Sequence, residues 1–282
     1  MPIGILNNIP SLVAENNLSI TSQNLQKTLF RLSSGSRINS GADDAAGLAI
    51  ADGLHANTTA LTQSAQNANS GVGALQVADG ALAQVTTLLN RAVTLATEAS
   101  TGTVSQAQRG ALDAEFTQIK AEIDRIGSTT TFNGTSVFTA TTTSIFLSDA
   151  SSTSQIGVTV GTVAAAAITD GTGANAVNIS ADTLTGASGA AAQTALTHID
   201  SAIANVASIR GNIGAGINRL QSAVNVINNQ VQNLTSAEDG IRAADIPSEV
   251  ANLSRYTILN QSGISALAQA NSAQQSILTL LR

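Results

Sequence analysis

The chain lacks cysteine and tryptophan, and has three prolines, one methionine and one tyrosine among its 282 residues. Without cysteine there is no disulfide framework, no thiol nucleophile and no thiolate-bound zinc or iron–sulfur site. Aromatic residues make up 2% and charged residues 11%, against about 25% charged in an average soluble protein. Base-stacking platforms and aromatic interface anchors are therefore scarce. The net charge of −6 argues against a basic phosphate-binding face, and no nucleic-acid partner is expected. The two histidines, His55 and His198, stand far apart in sequence and form no metal site by themselves. Met1 to Gln26 contains no Lys or Arg, so the basic head of a secretory signal is missing. No continuous run approaches the roughly 18–20 apolar residues of a membrane span, and no membrane insertion is expected.

What is present suits long packed helices. Hydrophobic residues reach 43%, and Ala supplies much of that share. Leu75, Leu82, Leu89 and Ala96 repeat every seven residues. An offset series at Ala78, Val85 and Ala92 completes a coiled-coil seam. Ser100–Val104 interrupts the pattern, and Leu112, Phe116, Ile119, Ile123 and Ile126 resume it. So short a break predicts two antiparallel neighbours. Gly127–Thr131 ends the second helix. The longest run extends from Ile199 through Val206, Ile213, Leu220 and Ile227 to Leu234. A helix of that length needs partners to bury its stripe, and the Leu75–Ile126 helices are the obvious ones.

The stretch Thr129–Ala195 differs. Ser and Thr crowd Ser128–Gln155, and no Lys or Arg occurs between Arg125 and Arg210. Short β-type runs at Ser144–Leu147 and Gln155–Val163 predict one or two small hairpins. The remainder reads as exposed polar surface, with Ser and Thr hydroxyls available to O-linked sugars.

The ends are amphipathic yet nearly uncharged. Residues 1–30 carry only Glu15 and Lys27, and Tyr256–Leu281 carries no charge. Monomeric soluble proteins clothe terminal helices with Lys and Glu. Apolar positions Ile5, Leu12, Leu25 and Leu29, with Leu259, Ile264, Leu267, Leu278 and Leu281, therefore predict surface buried in an assembly. Leu259 and Leu267, eight residues apart, are expected on one helix face.

Catalytic constellations are missing. There is no His-Glu-x-x-His pair and no phosphate loop ending in Gly-Lys-Ser/Thr. Gly211–Gly216, reading Gly-Asn-Ile-Gly-Ala-Gly, has the wrong glycine order for a dinucleotide site and more plainly permits close approach or a kink. The acidic pair Asp43–Asp44 has no partner base. Asn133-Gly-Thr is an N-glycosylation triplet only in a eukaryotic secretory setting. No enzyme, cofactor or metal is expected.

Leu32–Asp52 reads LSSGSRINSGADDAAGLAIAD, and NLSRYTILNQSGISALAQANSAQQSILTLLR begins at Asn252. Both resemble bacterial flagellin closely, as does TFNG at Thr131–Gly134. The resemblance covers about residues 1–140 and 195–282. It implies a mainly α fold: a long antiparallel helical bundle formed by the N- and C-terminal halves, with a small β-hairpin region in the middle. Residues 1–42 and 243–282 would form an inner-tube domain of paired termini. Residues 43–242 would form an outer tube that includes the hairpin and a variable Ser/Thr-rich segment at about 128–195, with no separate compact outer domain. Ser33–Ala46 matches the connector between the two, and Asp245 and Pro247 match the start of the last helix, as N-cap and first helical residue.

The function implied is structural: a secreted subunit that polymerises into the hollow extracellular filament used in motility, exported by a type III route. Implied partners are further copies of the chain, an export chaperone on the C-terminal helix, the filament cap and the hook-associated junction proteins. Arg91, Leu95 and Glu115 match positions through which Toll-like receptor 5 reads many family members, although Val93 and Thr94 stand where Arg and Glu are common. A hook–filament junction adapter shares the terminal helices and is the alternative, as is a polysaccharide-binding surface protein, for which the middle offers only Phe132, Phe138 and Phe146.

Overall fold

The computed structural model describes residues 8–149, 153–169, 175–186 and 188–280, with side chains described to Gln275 in the last helix. Five helices dominate: α1 (Ile9–Ser34), α2 (Ala45–Ser100), α3 (Gln106–Thr129), α4 (Ala190–Arg242) and α5 (Ile246–Leu280). Between α3 and α4 lie β1 (Thr131–Phe132), β2 (Thr135–Ser136), β3 (Thr143–Phe146), β4 (Gln155–Val158), β5 (Val163–Ala164) and β6 (Ala167–Ile168). They pair as three antiparallel hairpins, β1 with β2, β3 with β4 and β5 with β6. The mainly helical fold with small central hairpins is the one expected. Residues 1–56 and 233–282 make one compact unit and residues 57–232 another.

The helix ends follow local rules. Asn8 caps α1 by accepting the Ser11 N–H at 3.1 Å, and Gly35 closes it in the left-handed conformation, φ +70°. Ser105 and Gln108 form a reciprocal capping box at the start of α3. Asp44 accepts the Gly47 N–H at 2.9 Å where α2 opens. A Cβ at Gly47 would fall 2.8 Å from Ile38 Cδ1, so glycine lets the buried Ile38 pack there. Pro247 is the second residue of α5 rather than the first, behind Ile246. Asp245 is in place as the cap, 3.5 Å from the Ser248 N–H.

In the second unit, Leu75, Ala78, Leu82, Val85, Leu89 and Ala92 of α2 are all buried, as the heptad spacing predicts. Phe116, Ile119 and Ile123 face them from α3, and Ile199, Val206, Ile213, Leu220 and Ile227 come from α4. Helices α2 and α3 run antiparallel, with Arg91 opposite Glu115 and Arg109 opposite Ala99. By length and composition α2 is apolar enough to pass for a membrane span. One stripe of it, from Leu61 through Leu75, Leu82 and Leu89 to Leu95, is buried, while Ile50 and Val77 stay exposed. This helix begins some thirty residues before the heptad run that reveals it, at Ala45 rather than near Leu75.

The middle segment departs from the expected exposed loop. Val158, Val160, Val163, Ala165, Ile168, Ile179 and Leu184 are buried. Side chains of the helices hold its backbone. Asp124 accepts the Ala165 N–H at 2.7 Å. Asp113 accepts the Leu184 N–H at 2.6 Å. Lys120 donates to the carbonyls of Ser180 and Asp182, and the buried Asn205 amide donates to those of Ile168 and Asn175. Glycines admit the segment to the helices. A Cβ at Gly127 would lie 1.6 Å from the Val163 carbonyl oxygen, and one at Gly71 2.3 Å from Ile145 Cδ1. Gly216 serves likewise, 3.1 Å from Val158, whereas Gly211 and Gly214 face open space. The Gly211–Gly216 stretch lies within one continuous helix.

Candidate assembly surface

The charge-poor ends meet as a pair. Helix α1 packs antiparallel on α5. Asn8 and Ser11 reach Asn271 at one end, and Arg31 reaches Glu249 at the other. The less exposed residues of α1 include Ser11, Ala14, Leu18, Thr21, Leu25 and Thr28, at steps of three and four. Those of α5 include Leu253, Tyr256, Asn260, Gly263, Leu267 and Ala270, in the same rhythm. The seam is therefore built of small and polar side chains with a few leucines. A Cβ at Gly263 would sit 3.1 Å from Leu18, so the backbones approach closely. Small residues permit this approach but bury little apolar area.

Most large apolar side chains of the pair point elsewhere. Leu12 is 67% exposed and Ile258 63%, with Ile9, Val13, Ile20, Phe30, Leu259 and Ile264 also outside. Beside the seam, Val13, Leu18, Ile20, Leu259, Gly263 and Ala266 line an open groove of about 570 Å³. No charged residue lines it. Asn17, Thr21 and Ser262 add uncharged polar groups to its apolar lining.

A cluster of charges lies at the C-terminal end of α1. Lys27 reaches Asp43 at 2.8 Å, and Arg31 lies 3.9 Å from Asp43 and 3.3 Å from Glu249. Asp43 also accepts the Ser40 hydroxyl and the N–H groups of Asn39 and Ser40. These interactions, the Lys27 hydrogen bond first and Ser40 next, hold its carboxyl down at about 2. An antiparallel bridge ties the connector to the end of α4: Arg37 N–H donates to Arg242, and Ala244 N–H donates to Gly35. The acidic pair thus has two structural duties, Asp43 as a charge clasp and Asp44 as a helix cap.

The candidate residues divide three ways. Leu12, Leu29, Leu259 and Ile264 are exposed on the terminal pair. Leu25 and Leu267 are half-buried at the seam between α1 and α5. Leu259 and Leu267 do not share a face: eight steps of about 100° leave them about 80° apart, enough to put one outside and one on the seam. Ile5 and Leu281 lie outside the described residues, as does the side chain of Leu278. The sequence reading that picked Leu12 and Leu259 passed over Phe30, Ile246, Val250 and Ile258, which are also exposed. For Ile258 the signal is the same, a large apolar residue in a charge-free stretch, whereas Phe30, Ile246 and Val250 adjoin Arg31, Asp245 and Glu249 and carry no such signal.

The second set separates as well. Arg91 grips Glu115 through two hydrogen bonds of 2.7 and 3.0 Å on the exposed flank of α2 and α3. That pairing raises the Arg91 pKa and lowers that of Glu115. Leu95 is 1% exposed and belongs to the core, because it follows the α2 stripe inward. It is not part of an accessible patch with the other two.

The family profile of the bacterial flagellin N-terminal helical region matches residues 5–143, and that of the C-terminal helical region matches residues 196–281. A flagellin of Halalkalibacterium halodurans is 35% identical over 280 residues, covering 99% of both chains. Flagellin FlaB2 of Treponema pallidum is 34% identical over 291 residues, again with 99% of each covered. The crystal structure of Bacillus cereus flagellin aligns with 61% of this chain and 94% of its own at 30% identity, with a TM-score of 0.46. Both helical ends being matched in order and almost the full length being shared, the chain belongs to the bacterial flagellin family and is a structural subunit of the flagellar filament, which serves motility.

Proposed function

We propose that the outward apolar faces of α1 and α5 are the polymerisation surface, and that residues 1–42 and 243–282 form the inner tube of the filament. Residues 43–242 then form the outer tube, with the segment at about 128–195 on its exterior. The observation that carries this reading is the placement of side chains on the terminal pair: small residues meet within the chain while Leu12, Phe30, Leu259 and Ile258 face out. Lateral burial against further copies satisfies those faces at about 25 cal/mol per Å². Leu25 and Leu267 act one step earlier, by holding the two helices together.

Export to the cell exterior and binding of an export chaperone, the filament cap and the junction proteins complete the proposal. Recognition by Toll-like receptor 5 would rest on Arg91 and Glu115 of this flank without Leu95. Deleting Gln261–Arg282 tests the central reading. The unit of residues 57–232 is expected to keep its helical circular dichroism and melting while seeded polymerisation is lost. Filaments of normal yield from the truncated chain would overturn it.

A further inference from the structure

The geometry points to Asn133–Gly134 as a self-modifying site, where the chain converts an asparagine side chain to a carboxylate without an enzyme. The sequence holds a single Asn-Gly step, and the fold puts it at the tip of the β1–β2 hairpin. Asn133 has φ +50° and Gly134 φ +77°, the two left-handed central positions of a tight hairpin turn. Asn133 is the one non-glycine residue with positive φ among those described. Both residues are exposed, and nothing lies within 4 Å of the place where a Cβ of Gly134 would stand. No described side-chain hydrogen bond holds the Asn133 amide. The hairpin has only two residue pairs, Thr131 with Ser136 and Phe132 with Thr135, so local opening breaks few bonds.

The chemistry closes with water alone. The Gly134 backbone nitrogen gives up its proton and bonds to Cγ of Asn133. The bond from Cγ to the side-chain nitrogen breaks, and ammonia leaves. The five-membered succinimide that results adds one water at either carbonyl. One product is aspartate at position 133. The other is isoaspartate, in which the main chain runs through the former side chain and is one methylene longer. No side chain shields Gly134 from this attack, whereas a larger residue after Asn133 would do so. The steps Asn69–Ser70 and Asn271–Ser272 provide internal controls. They lie inside α2 and α5, where the helix engages the backbone N–H that must attack.

The test uses the intact wild-type chain. Purified protein is held at mildly alkaline pH and sampled over days by fragment mass spectrometry, with chromatography to separate aspartate from isoaspartate. The expected result is replacement of one ammonia by one water at position 133, in two isomers, many times faster than at Asn69 or Asn271. An unmodified position 133, or modification there no faster than at the helical controls, overturns the inference. The same measurement on Asn133→Gln, whose longer side chain closes a six-membered ring slowly, should show the signal lost. Persistence of the signal in that variant would assign it elsewhere and sink the proposal.

Discussion

The unit of residues 57–232 and the α1/α5 pair place their apolar side chains in opposite ways. In the former, Leu82, Leu89, Phe116, Ile199 and Ile213 turn inward, and polar side chains from the helices hold the incoming hairpins. In the latter, the interior of the pair mixes Ser, Ala, Thr, Asn and Gly with Leu18, Leu25, Leu253, Tyr256 and Leu267, and most of the large apolar residues face out. The first arrangement yields a core that is complete within one chain. The second leaves most of its large apolar side chains in solvent within the single chain. One sequence therefore contains a self-sufficient bundle and a helix pair whose outward faces the polymerisation proposed above would cover.

Two phenylalanines give the sharpest test of that contrast. Phe116 is 0% exposed and Phe30 61%. Replacing Phe116 with Ala is expected to cost the monomer about 3–5 kcal/mol, the usual loss for a buried aromatic. Phe30→Ala should leave the monomer melt almost unmoved and reduce filament yield. Equal effects on the monomer melt would break the comparison. Gly127→Ala belongs with Phe116, because the added methyl would overlap the Val163 carbonyl and force α3 and β5 apart.

Much of this contrast was legible in the sequence. The heptads in α2, α3 and α4 announce a stripe, and a stripe announces a core. The missing charge at the ends announces apolar side chains left exposed within one chain. Which residues of the ends face out was not legible. Ile, Leu and Val are spread round the helix there, and only the partner fixes the seam. Ile209 is a miss of another kind. It is fully buried and stands three residues after Val206 and four before Ile213, the spacing of the α4 stripe itself. Asn205 is what periodicity does not find: its buried amide holds the carbonyls of Ile168 and Asn175, contacts remote in sequence. Leu95 fails for a related reason. A match at a family position says nothing about direction, whereas its place on the α2 stripe does.

Arg109 measures how far the self-sufficient unit depends on polar ties. Its guanidinium is buried and donates to the carbonyls of Ala99, Gly186 and Thr101 at 2.8, 2.7 and 3.0 Å. It thereby caps the C-terminal end of α2 and holds the residues just before α4. Arg109→Met keeps the length of the stem and removes the donors. The expected cost is about 1–3 kcal/mol, the penalty for leaving buried carbonyls unpaired. A melt unchanged by this substitution would mean that apolar packing alone fixes the segment.

The outward ridge supplies the opposite pattern. The double substitution Leu12→Ser with Ile258→Ser touches only side chains that the monomer leaves in solvent. Its monomer stability is expected to stay within about 0.5 kcal/mol of wild type. Sedimentation after seeding should show little polymer. A collapsed monomer melt would assign these residues to the fold of the single chain, and wild-type polymer would remove them from the interface.

The smallest effect is expected where the terminal pair carries its charge, and it appears only in acid. The Asp43 carboxyl is lowered from an ordinary 3.8 to about 2, chiefly by the Lys27 hydrogen bond. A carboxyl depressed in the folded state binds its proton more readily when unfolded. Its contribution is therefore fully present above about pH 4 and is lost as pH falls toward 2. Lys27 is half exposed, so salt should weaken the clasp. Hydrogen exchange at Asn39 and Ser40, whose N–H groups Asp43 accepts, reads this locally. Protection there should decline between pH 4 and 2, after correction for the intrinsic exchange rate, and the decline should begin at higher pH in high salt. Asp43→Asn should remove the pH dependence of that protection in this window. If the variant declines in parallel with wild type, the acid sensitivity of the connector arises from another group, and the clasp does not stabilise the end of α1.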